Sequence, residues 1–117
     1  MSRRSEKVAS LLKEVVSEII VHNLKDPVFR QFISITDVKI GEDLKKATFY
    51  FRVYQGDEKQ IETALNKAKG YIKKLIAEKI VIKFIPDIEF KPDDTLEKEK
   101  RMEELFQKIA KMKGSGQ

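Results

Sequence analysis

Ala64-Leu65-Asn66-Lys67-Ala68-Lys69-Gly70-Tyr71-Ile72 is the stretch on which the fold turns. Ile61, Ala64, Leu65, Ala68, Ile72, Leu75, Ile76 and Ile80 recur at steps of three and four. That spacing puts them on one face of a helix. Periodicity alone predicts one long helix from Glu58 to about Lys79, opened by Asp57 and Gln60 as a capping box. Gly70 stands inside it. A glycine there costs about 1 kcal/mol against alanine, so it marks either a tolerated flaw or a kink.

Upstream lie two strands. Phe32–Ile40 is rich in β-branched residues, but its apolar phase changes midway, from Ile33 and Ile35 to Val38 and Ile40. A bulge near Thr36-Asp37 accounts for the switch. After a turn at Gly41–Leu44, Ala47, Phe49, Phe51 and Val53 alternate with Thr48, Tyr50, Arg52 and Tyr54. The pair reads as a β-hairpin with one buried face. A first helix spans about Ser5 to Asn23, with Val8, Leu11, Leu12, Val15, Val16, Ile19 and Ile20 as its stripe. Lys25-Asp26-Pro27 stops it, because proline disfavours helical geometry at the residue before it.

Downstream, Val81–Pro86 is open between a frayed helix end and an extended run. Ile88 and Phe90 mark a short third strand. Asp94 and Glu97 form another capping box, and Met102, Leu105, Phe106 and Ile109 give a last helix its apolar face. The expected core holds Leu12, Val15, Ile19, Phe49, Phe51, Leu65, Ile72, Ile76 and Phe90. Helices around a small sheet, each with one apolar face, make a two-layer α+β domain. It is expected to occupy residues 1–113, last helix included, with 114–117 as a flexible tail.

The chain has 117 residues, one domain's worth. It carries 24 Lys and Arg against 19 Asp and Glu, a net charge of +5 that suits an anionic partner. There is no cysteine, which excludes disulfides, thiolate nucleophiles and cysteine metal sites and fits a cytoplasmic location. His22 is the single histidine, so a multi-histidine metal site is excluded. No apolar run is long enough to span a membrane. No glycine-rich nucleotide loop occurs, so no use of ATP or GTP is expected. No other cofactor, metal or small-molecule substrate is expected either.

The ordered set of motifs closely resembles the ribosome-binding factor A family, bacterial assembly factors of the small ribosomal subunit. The stretch from Ala64 to Ile72 carries the resemblance most strongly. Leu24-Lys25-Asp26-Pro27, Ile33–Val38, Asp43–Ala47, Pro86–Phe90 and Met102–Leu105 complete it. The resemblance implies a type II KH-like fold, ordered α-β-β-α-(kink)-α-β, with a C-terminal helix and a three-stranded sheet packed on helices. It implies that an Ala-x-Gly kink, here Ala68-Lys69-Gly70, replaces the Gly-x-x-Gly loop by which KH domains clamp a nucleic-acid backbone. It also implies a non-catalytic role in late maturation of the 30S subunit and its 16S rRNA, with a link to growth in the cold. A monomer is expected.

Residues 57–83 hold seven lysines against four acids. Lys67, Lys69, Lys73 and Lys74 therefore head the expected RNA-binding set, and Arg3, Arg4 and Lys7 join as a flexible basic arm. Lys25 with Arg30, and Lys45-Lys46, flank the hairpin and extend the patch. The competing reading is a solvated helix face where lysine sits for its propensity. Tyr50 and Tyr54 are read as cross-strand partners that cover lysine stems rather than as base-stacking platforms. Two other functions fit the same composition: a general RNA-binding KH-like protein without ribosomal specificity, and a protein-interaction module using the hairpin edge or the last helix.

Overall fold

The computed structural model describes residues 3–115. In chain order it has α1 (Arg3–His22), a 3-10 turn (Pro27–Arg30), β1 (Phe32–Ile40) and β2 (Lys46–Gln55). Then follow α2 (Glu58–Lys67), α3 (Lys69–Lys79), β3 (Asp87–Pro92) and α4 (Thr95–Ser115).

α1 begins at Arg3, so Arg3 and Arg4 belong to its first turn and are not a flexible arm. Leu12, Val15, Val16, Ile19 and Ile20 form its buried stripe. At the other end the Arg30 guanidinium reaches back from the 3-10 turn. It donates to the carbonyls of Val21 (2.8 Å), Ile20 (2.8 Å) and Leu24 (2.6 Å). The first two are last-turn carbonyls that a helix end leaves without partners, and Leu24 lies just beyond α1. Asp26, extended at φ −57° and ψ 129°, caps the 3-10 turn by accepting from the Val28 N–H.

The sheet runs β1-β2-β3, with β1 antiparallel and β3 parallel to β2. Its register passes from Ile35↔Phe51 to Asp37↔Tyr50, leaving Thr36 as the bulged residue. The bulge returns Val38 and Ile40 to the face already used by Ile35, and all three are buried. α1, α2 and α3 cover that face. The Phe49 and Phe90 rings stack at 5.3 Å in the middle of the core. All nine expected core residues are buried. The opposite face stays polar, with Lys39 placed 5.6 Å over the Tyr50 ring.

The helix pair breaks at Ala68, two residues before Gly70, the residue whose low helix propensity had suggested the kink. Ala68 sits at φ −86° and ψ −1°, and its N–H is shared between the carbonyls of Ala64 (3.0 Å) and Leu65 (3.1 Å). The shorter-range bond tightens the last turn of α2. The bend lets Ile61 and Leu65 on one helix, and Ile72 and Ile76 on the next, all bury against the sheet. Gly70 lies in the first turn of α3, with nothing within 4 Å of where a Cβ would stand.

β3 is an edge strand, and Asn66 closes its open side. The Asn66 amide donates to the Phe90 carbonyl (3.1 Å) and accepts from the Phe90 N–H (3.0 Å), as a neighbouring strand would. This helical side chain blocks the edge against further pairing.

Asp94 holds the N-cap position of α4, and its carbonyl accepts from the Lys98 N–H at 2.9 Å. A side-chain bond to the first turn comes instead from Asp93, whose Oδ1 accepts from the Thr95 N–H at 2.9 Å. The Asp93 Oδ2 accepts from Thr36 and from Arg52 (3.3 Å), and the Asp93 N–H donates to the Phe51 carbonyl at 2.7 Å. One carboxylate thus ties the bulge, the central strand and the start of α4 together. α4 itself departs from expectation. Met102, Leu105, Phe106 and Ile109 are 40–62% exposed, so its apolar face does not join the core. Gly114 and Ser115, expected in the tail, close α4, while Gly116 and Gln117 lie outside the described residues.

Candidate nucleic-acid interface

The expected cations fall into separate groups. Lys67 shares a groove of about 910 Å³ with Lys25 and Lys59, between α2 and the end of α1. Leu24, Phe29, Ala64 and Ala68 line it, and Tyr71 stands at its wall. Lys69 and Lys73 are one turn apart on α3 and face the start of β3. Lys73 Nζ bonds Asp87 Oδ1 at 3.0 Å. Lys74, next along, is exposed.

A second charged cluster runs along β3. Glu89 is held between Lys46 and Lys91, each at 3.5 Å. Burial raises its pKa, but the two ammonium groups outweigh that, and it lies below the usual value. Asp87 also lies below the ordinary range, chiefly through the hydrogen bond and charge of Lys73, with smaller help from Lys69 and Lys46.

Arg4 borders a cleft of about 200 Å³ with Val8, Leu44, Lys83 and Phe84, while Arg3 and Lys7 are exposed along α1. Lys45 is exposed beside the hairpin turn, its N–H bonded to Asp43. Arg30 differs from the others. Its guanidinium donors hold the end of α1, so its role is in the fold. Among the described residues no group of three or more His, Cys, Asp or Glu is arranged for a metal ion, and no helix is long and apolar enough to cross a membrane.

The structure adds residues that the composition did not flag. Asn66, Arg52, Asp87 and Asp93 carry the polar architecture around the lysines. Asn66 was the most visible, being a poor helix former among Ala64, Leu65 and Lys67. Arrayed lysines at separate points of a surface hold phosphates as point charges, without the planar bidentate geometry of arginine.

The helix pair has no loop between its members: Ala68 alone joins α2 to α3. The KH backbone clamp is therefore absent, in a chain whose α-β-β-α-α-β order and mixed sheet are otherwise KH-like. The sequence model of the family described as Ribosome-binding factor A matches residues 4–106. The chain belongs to that family. A ribosome-binding factor A from Geobacter sulfurreducens is 40% identical over 117 residues, covering 98% of each chain. The crystal structure of ribosome-binding factor A from Thermus thermophilus superposes with a TM-score of 0.69 at 22% identity, over 75% of this chain and 93% of that one. A Thermus thermophilus homology model, fitted into a cryo-EM map of a 30S complex of ribosome-binding factor A, gives 0.62 at 24% identity, over 74% and 91%. In this family member the stretch from Ala64 to Ile72 is thus a structural joint: an edge clamp at Asn66, a bend at Ala68 and lysines on either side.

Proposed function

We propose that this chain is a cytoplasmic, monomeric, non-catalytic assembly factor that binds the immature 30S subunit through its 16S rRNA and promotes late maturation. Membership of the ribosome-binding factor A family is the observation that carries this reading. The lysines of the helix pair supply the means. Lys67, Lys69, Lys73 and Lys74 form the main phosphate-binding surface, with Lys25, Lys45 and Lys46 extending it and Arg3, Arg4 and Lys7 adding contacts from α1. Arg30 is left out because its donors hold α1. Binding free energy is the only driving force. The factor shifts rRNA toward the arrangement it binds better, by no more than its difference in affinity for the two. Growth in the cold, where misfolded RNA helices persist, is where loss of this function should show most.

Co-sedimentation with immature 30S particles at two salt concentrations tests the reading. Lys73→Ala with Lys74→Ala should weaken binding and flatten the plot of log affinity against log salt by about 0.7–0.9 per lost phosphate contact. The melting temperature should barely change. Lys108→Ala with Lys111→Ala, on α4, should do little. A larger effect from the α4 pair, or an unchanged salt slope in both, would place the RNA surface elsewhere.

A further inference from the structure

Three of the RNA-assigned lysines converge on an acid that has no role in that reading. Asp87 opens β3, and Lys73 on α3 bonds its carboxylate at 3.0 Å. Lys69 lies one turn earlier on α3, and Lys46 faces Asp87 across the β2–β3 register. The charges of both also act on the carboxylate. Lys46 is shared with Glu89 at 3.5 Å.

The fold makes little use of this carboxylate. The Asp87 side chain is 86% exposed, and an ion pair with so wet a partner contributes little to stability. The bond that anchors Asp87 to the sheet runs from its backbone N–H to the Lys45 carbonyl, at 2.9 Å. A carboxylate and a phosphodiester each spread one negative charge over two oxygens. An ammonium cluster that holds the first accepts the second.

We propose that Lys46, Lys69 and Lys73 form a subsite for one RNA backbone phosphate, and that Asp87 occupies it in the free protein and gives way on binding. The inference rests on the RNA reading above and adds to it a located contact and a residue that weakens it. Lys73 enters the encounter already neutralised, so one anion replaces another. The net gain is small, and the contact stays readily reversible.

The test measures binding of the full chain to immature 30S particles at two salt concentrations. The variants are Asp87→Asn, Lys73→Ala, the two combined, and Glu104→Gln, which makes the same charge change on exposed α4. Asp87→Asn should tighten binding about three- to tenfold, the scale of one screened charge at contact distance. It should leave the salt slope nearly unchanged, because the number of phosphates neutralised is the same with and without the carboxylate. Glu104→Gln should change affinity less than about twofold. Lys73→Ala should abolish the gain from Asp87→Asn. Asp87→Ser repeats the loss of charge with a smaller side chain, should the asparagine variant fold poorly. The subsite is overturned if both Asp87 variants bind like the wild type or more weakly, if Glu104→Gln matches them, or if the gain survives without Lys73. A wild type that does not bind at either salt overturns the RNA reading, and the subsite with it.

Discussion

Gly70 and Asn66 stand four residues apart and do opposite things for the fold. Gly70 has helical backbone and open space at its Cβ position, so no close approach within the chain requires glycine there. Gly70→Ala should raise stability by about 0.4–1 kcal/mol, because alanine restricts the unfolded chain and fits the native helix. A denaturant titration showing a loss instead would mean that α3 needs the glycine's freedom. Asn66 answers both polar groups of Phe90 on the sheet edge. Asn66→Leu should lower stability by about 1–3 kcal/mol for each backbone group left dry. The same variant should aggregate faster, since an edge strand would then be open for pairing. Unchanged chemical denaturation would show that water replaces the amide. The roles of these two residues are hard to see in a string of letters. Glycine signals a break by its propensity, yet the bend falls on Ala68, where packing of two apolar stripes decides the geometry. Asn66 acts on a strand 24 residues away.

At the level of elements, the sheet and its three covering helices were readable because each carries a clear period. Alternation set β2, steps of three and four set α1 to α3, and the phase change in β1 located the bulge at Thr36. The joints were less readable. The junction of β3 and α4 is governed by Asp93, whose partners Thr36 and Arg52 come from two other strands. The hydrogen bonds from Thr36 and Thr95 hold the Asp93 carboxyl at about 2, well below its ordinary value of 3.8. Its ionised form is therefore favoured by folding. The stabilisation is complete above about pH 4 and is lost as pH falls through 2. At 10% side-chain exposure it is worth about 1–2 kcal/mol. Asp93→Asn should lower stability at neutral pH and flatten the acid dependence between pH 4 and 2. Urea midpoints across that window measure both, and parallel curves for variant and wild type would deny Asp93 this part. Within the core, Leu65→Ala should cost about 2–5 kcal/mol, as expected for a side chain with no exposed surface.

The molecule as a whole is longer than its residue count suggests. A compact domain of this size has a radius of gyration of about 13 Å. The observed value is 18.1 Å, with a longest dimension of 64 Å. α4 accounts for the difference, since 21 residues of helix extend about 31 Å. Small-angle scattering from the full chain should return a radius near 18.1 Å in dilute solution. A value near 13 Å would mean that α4 folds back onto the domain. The apolar stripe of α4 was plain in the sequence, but its placement was not. Periodicity says that a face is apolar, and says nothing of whether the chain supplies a surface to cover it.

α4 meets the sheet through the hydrogen bonds of Asp93, and every one of its described side chains is exposed. Little therefore couples its melting to that of the core. Most helical stability in proteins comes from the tertiary packing that α4 lacks, and heating should unwind it gradually, ahead of the cooperative transition. Far-UV ellipticity would slope downward while near-UV tyrosine signals from Tyr50 held steady. The calorimetric peak would carry the enthalpy of about 90 residues rather than the full chain, at about 0.7 kcal/mol per residue. A single melting temperature would then describe the domain alone, and the arm would have a thermal life of its own.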